Sequence, residues 1–123
     1  YGNLLNTINK EKGINLFFHS KTAMFCFPDF IDNIYRDLAK NQVKYIVIFE
    51  WLGYSMETSS FYKLSYNYKK SRVMRDNIYA HNYPYLLKKN GYKILEGNLI
   101  KIPQRKLFQK DVHLCFLLAQ KET

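Results

Sequence analysis

Residues 44–50 read Lys-Tyr-Ile-Val-Ile-Phe-Glu. Tyr45 to Phe49 form an unbroken apolar run with β-branched residues at its centre. Such a run predicts a central parallel strand covered on both faces, because an alternating pattern would appear if one face met water. Upstream lies a shorter run of the same kind, Asn15 to His19 (Asn-Leu-Phe-Phe-His), with Gly13 before it. It predicts a second buried strand. Between the two, Pro28-Asp29 signals a helix start, with Asp29 expected to cap the free amides of the first turn. Phe30, Ile31, Ile34, Tyr35 and Leu38 then share one helical face, while Asp32, Arg36, Asp37 and Lys40 take the other. Strand, helix and strand with short connections close as a right-handed crossover in a parallel sheet.

Downstream, Trp51 to Tyr79 is the least regular stretch. Phe61, Leu64 and Tyr68 keep helical spacing, and Lys63, Lys69, Lys70, Arg72 and Arg75 make the segment basic, so it reads as partly helical. Asn82 to Asn90 predicts a shorter helix, with Pro84 tolerated in the first turn and Gly91 ending it. Tyr92 to Leu99 and Val112 to Ala119 read as two further strands. Only a loop joins them, and a parallel pair would need a crossover of about a dozen residues, so they should pair antiparallel. The order of elements predicts an α/β fold: a partial Rossmann-like three-layer sandwich, its parallel strands followed by a carboxyl-terminal antiparallel hairpin.

The chain has 123 residues, of which 47% are hydrophobic, enough for one domain with a packed core. Nineteen Lys and Arg against ten Asp and Glu give a net charge of +9. A balance this basic suits an anionic partner, nucleic acid included. The lysines are scattered rather than blocked, a pattern that an AT-rich coding sequence also produces. Cys26 and Cys115 each sit among apolar neighbours and read as buried thiols, which with the absence of an apolar segment of ~18 residues predicts a cytoplasmic protein without a membrane span.

The run from Asn15 to Asp29 resembles the fourth strand, and the loop after it, of class I S-adenosylmethionine-dependent methyltransferases. Lys44 to Trp51 resembles their fifth strand, ending in an acidic residue. Tyr79 to Glu96 resembles their last helix and sixth strand, and Val112 to Lys121 their reversed seventh strand. The likeness covers essentially the whole chain but half of the family's fold. It implies that residues 1–123 are the carboxyl-terminal half of a methyltransferase domain whose cofactor-binding amino-terminal half is absent. The five glycines form no nucleoside-cradling cluster, in keeping with that expectation. The resemblance further implies S-adenosylmethionine as cofactor and a small-molecule or sugar-like acceptor. A half-sheet of this kind should need its missing half, or a second copy of the chain, against its unpaired edge.

Ligands of open α/β sheets bind at the carboxyl ends of the parallel strands. His19 and Ser20 end the first strand, and Glu50 and Trp51 end the second. The resemblance places His19 and Ser20 beside the cofactor. Glu50 is expected to orient or deprotonate an acceptor, unless it is a solvated strand end or pairs with a nearby Lys. His81 is the candidate general base, because an imidazole titrates near neutrality. Trp51, Tyr79 and Asn82 are the candidate acceptor-binding residues. His113, inside an apolar strand, reads as a hydrogen-bonded sheet residue. The histidines and cysteines lack metal-ligand spacing, so no metal is expected. A rival reading is a non-catalytic basic module that binds RNA or another anion through Lys63 to Arg75 and Lys101 to Lys110.

Overall fold

A computed structural model of the chain describes residues 6–8, 10, 13–52, 71–75, 78–101 and 113–123. The elements are β1 (Leu16–Ser20), a 3-10 turn (Ala23–Phe25), α1 (Pro28–Lys40), β2 (Tyr45–Leu52), β3 (Ser71–Arg75), β4 (Ile78–His81), α2 (Tyr83–Lys89), β5 (Tyr92–Lys101) and β6 (His113–Lys121). β1 and β2 run parallel, with Leu16 opposite Tyr45 and His19 opposite Ile48. β5 and β6 run antiparallel, as the loop connection between them demands.

The sheet order is β1-β2-β6-β5. The last strand therefore does not extend an edge. It lies between β2 and β5, antiparallel to both, with Glu50 opposite Cys115 on one side and Leu99 opposite Cys115 on the other. Its composition suits a central place: Leu114, Cys115, Leu117 and Ala119 are all buried. The fold is mixed α/β, a parallel pair followed by reversed strands, as a partial Rossmann-like sheet would be.

α1 and α2 both pack on one face of this sheet. Ile31, Ile34, Tyr35 and Leu38 of α1 and Tyr83, Leu86 and Leu87 of α2 join Ile46, Ile48, Leu117 and Ala119 in one core. The side chains that alternate with these on the strands point to the opposite face. There Leu16 and Phe18 are 55% and 59% exposed, and Val47, Phe49, Phe116 and Leu118 are half-buried.

Local signals account for most element boundaries, with three corrections. α1 begins at Pro28, its N-cap is Phe27 without a side-chain bond, and Asp29 stands inside the first turn. There the carboxylate still meets the positive end of the helix dipole. Asn82 precedes α2 rather than starting it, and its Oδ1 accepts the Tyr85 amide at 3.1 Å. Gly91, with φ of +77°, ends that helix, a conformation that costs a residue with a Cβ about 1–2 kcal/mol. The third correction concerns residues 71–79, expected to be irregular and partly helical. Ser71–Arg75 and Ile78–His81 pair as two antiparallel strands with a bulge between Val73 and Arg75. Two short runs about Asp76-Asn77 are a hairpin signal, here obscured by the long basic stretch before them. Phe61, Leu64, Tyr68 and most of the basic residues in Lys63–Arg75 and Lys101–Lys110 lie outside the described residues.

Candidate functional site

A buried polar cluster forms where β1, β2, the 3-10 turn, β4 and the two helices meet. Glu50 shares the core-facing side of β2 with Ile46 and Ile48, and its side chain is wholly buried. A carboxylate there requires partners, since an unpaired buried charge is very costly. It finds them through one oxygen. Oε1 lies 2.8 Å from His19 Nδ1 and accepts the backbone amides of Thr22 and Ala23, each at 3.1 Å. Glu50 is not solvated, and among the described residues its charged partner is the neighbouring strand's histidine, not a lysine. His19 completes the chain with Nε2 at 2.9 Å from the Tyr35 hydroxyl. Since a carboxylate only accepts, Nδ1 carries the proton, and a neutral His19 then accepts from Tyr35 at Nε2.

The 3-10 turn is gripped from its other side as well. His81 Nε2 donates to the Ala23 carbonyl at 2.8 Å. Ala23 thus gives its N–H to Glu50 and takes a proton donor from His81. Lys21, in a left-handed conformation at φ 51°, donates its amide to Phe49 O at 3.0 Å, and Cys26 donates to Ala23 O at 2.9 Å. The loop after β1 is therefore held at Lys21, Thr22, Ala23 and Cys26. Tyr83 fills the space between the two histidines, its ring 5.6 Å from that of His19 and 5.9 Å from that of His81. Among the described residues, Glu50 Oε2 and the Tyr83 hydroxyl are buried without a hydrogen-bond partner.

Burial sets the electrostatics. It raises the Tyr35 and Tyr83 hydroxyls well above the ordinary phenol value, and the Cys115 thiol to about 12. All three are neutral groups at pH 7. His81 is shifted downward, chiefly by burial, with the Ala23 carbonyl opposing. A histidine that is neutral when folded but takes up a proton more readily when unfolded makes unfolding proton-coupled. Its contribution is complete above the unfolded value of about 6.5 and is lost as pH falls below it toward the lowered folded value. Thermal melts from pH 7.5 to 5 should show His81→Gln less acid-sensitive than the parent chain. Equal pH slopes would contradict this account of the cluster.

The structure brings His19, Glu50 and His81 together across 62 positions of sequence (81 − 19), bonded through Ala23. All three are buried, and the bonds described for them run to protein groups. Asn82 is also fully buried and caps α2. Ser20 and Trp51 are half-buried at the ends of β1 and β2. Tyr79, half-buried, stacks on His81 at 6.1 Å and 19° and meets Phe27 at 5.8 Å. Phe25 and Phe27 themselves are 51% and 62% exposed beside it. Sequence reasoning missed Tyr35, Tyr83, Thr22 and Ala23. The tyrosines read as ordinary core aromatics, and a backbone amide has no residue-type signal. No group of His, Cys, Asp and Glu among the described residues is arranged to hold a metal.

No family model matches the chain, and no curated protein matches it. Solved structures do. A SAM-dependent methyltransferase from Methanosarcina mazei superposes with a TM-score of 0.54, at 14% identity, over 87% of this chain and 58% of that one. The likeness is one of fold. It covers nearly all of this chain and less than two thirds of its neighbour, which is how a partial α/β sheet aligns with a fuller one. No helix among the described residues is long and apolar enough to cross a membrane.

Proposed function

We propose that this chain forms the acceptor side of an S-adenosylmethionine-dependent methyltransferase, acting within a larger enzyme on a small-molecule or sugar-like hydroxyl. The observation that carries the reading is the reversed β6 between β2 and β5, in a sheet that superposes on a SAM-dependent methyltransferase. The open sheet face about Leu16 and Phe18 supports the need for further polypeptide, as either a missing amino-terminal half or a second copy.

The residues present fit only one edge of the cofactor. Ser20, half-buried where β1 ends, is the candidate for that edge. Glu50 and His19 spend their described bonds on each other, on Tyr35 and on the loop amides. Gly13 and Gly91 stand at single turns, and among the described residues no glycine-rich cradle is formed.

Glu50, His19 and His81 act instead as positioning residues. They preset the loop after β1, so that Ser20 on one side and the Phe27–Tyr79 pair on the other keep fixed places about the strand ends. Catalysis of this kind depends on holding two reactants in line, and small displacements lower the rate steeply. Trp51 and Tyr79 are the acceptor-side contacts.

The test is transfer of labelled methyl by the protein made from its complete coding sequence, over a panel of hydroxylated acceptors. Tyr79→Ala should raise the acceptor KM and leave cofactor affinity unchanged, and Ser20→Ala should weaken the cofactor first. A complete protein that neither binds S-adenosylmethionine nor transfers its methyl group would refute the proposal.

A further inference from the structure

The pole of the sheet opposite the crevice carries its own chemistry. β1, β2 and β5 all begin there, α1 and α2 end there, and β6 ends there. Lys44 enters β2, and its carbonyl accepts the Lys121 amide at 2.8 Å. Lys93, next but one along the sheet, lies opposite Gln120. Two strand spacings separate the backbones of Lys44 and Lys93 by roughly 10 Å, with Lys44 and Lys121 on the helix side of the sheet end and Lys93, one residue further along, on the open side. Lys40 ends α1, four residues before Lys44, and Lys88 and Lys89 end α2.

Helix dipoles explain the lysines at the two helix ends. They do not explain Lys44 and Lys93, which are exposed at strand starts. Among the described residues, carboxylates near these lysines are few. Glu122 is exposed there, Asp32 takes Lys89 at 3.2 Å, and Asp37 lies with Arg36 at 3.8 Å. Lys121 is fixed in place, its Nζ donating to Asn90 O at 3.3 Å and lying 5.5 Å from the centre of the Tyr92 ring. Lys44 likewise lies 5.2 Å from the centre of the Tyr45 ring. These cations are splayed on aromatic supports rather than folded back onto carboxylates.

We infer that this pole is a docking surface for the phosphodiester backbone of a nucleic acid. A nucleic acid strand presents a negative charge about every 3.4 Å along a duplex axis, which suits several lysines within a short span. An anionic bilayer fits less well, because among the described residues at this pole Leu16 is the exposed large apolar side chain, against the exposed cations Lys40, Lys44 and Lys93. The inference does not depend on methyl transfer, since it concerns the opposite end of the strands.

The experiment is titration of a fluorescent single-stranded RNA and a duplex DNA with the full chain, from 50 to 300 mM salt. Phosphatidylserine vesicles serve as a third arm. The parent chain should bind the nucleic acids with a steep salt dependence. The triple variant Lys40→Glu, Lys44→Glu, Lys93→Glu should lose at least ~10-fold in affinity, and about 2 in the slope of log K against log salt for single strands. Lys21→Glu, a single exposed change at the other pole, should stay within about twofold of the parent. The same three positions as Gln keep the test sound if charge reversal disturbs folding. The inference is overturned if the chain fails to bind at 50 mM salt, if the triple variants bind like the parent, or if vesicles bind while nucleic acids do not. A separate S-adenosylmethionine titration tells failure here from failure of the methyl-transfer reading.

Discussion

A chain ending before His113 should show no cooperative unfolding transition. The lost segment is the last of the sequence, where truncation is often harmless, but β6 is an inner strand paired along its length with β2 and β5. Its removal strips two hydrogen-bonded ladders at once. It also removes Leu117 from the core and the buried Leu114 from the opposite face, each worth about 1.5–3 kcal/mol of burial, and re-exposes the faces of β2 and β5 that packed beside them. The sum is on the order of the whole 5–15 kcal/mol stability of a small domain. Leu117→Asp should come close to the same outcome by one substitution, since Leu117 is fully buried in the core cluster and an unpaired carboxylate there has no partner. Far-UV circular dichroism with heating reads both variants. A sigmoidal melt retained by the truncated chain would show that β6 is not central.

Glu50→Ala should destabilise the chain by about 3–5 kcal/mol, the usual cost of removing one member of a buried pair. The carboxylate holds His19 Nδ1–H and the Ala23 amide in a buried site, and the Thr22 amide at its part-buried edge. Alanine leaves those three donors without their acceptor. Glu50→Gln keeps an acceptor oxygen of the same reach and should cost less, about 1–3 kcal/mol. Urea unfolding at pH 7 measures both. Hydrogen exchange adds a local readout: the Thr22 and Ala23 amides should exchange faster in Glu50→Ala than the amides of β6 do. A loss below about 1 kcal/mol would mean that the loop is held by its other contacts.

Much of the fold was legible because the deciding residues speak locally. The Tyr45–Phe49 run, the apolar stripe of α1 and Gly91 after α2 each report their own surroundings. The antiparallel relation of β5 and β6 followed from the length of one connection. The site was legible only as a set of strand ends. His19, Glu50 and His81 could be named, but not their mutual bonds, because a hydrogen bond between residues 31 positions apart leaves no mark on either neighbourhood. Residues 71–79 were misread because their short runs were weighed as part of a long basic segment rather than about Asp76-Asn77.

By itself the amino-acid sequence determined the class of the fold, the parallel pairing of the first two strands and which residues stand at their carboxyl ends. Periodicity and connection length are properties of contiguous residues, so no tertiary information was needed. Tertiary structure alone decided that the last strand enters between β2 and β5, since an apolar strand fits equally well beside any partner of its own kind. It alone decided, too, that Glu50 turns inward onto His19 and the loop amides. That choice depends on Tyr35 from α1, Thr22 and Ala23 from the loop after β1, and His81 from β4 arriving together to satisfy one buried cluster.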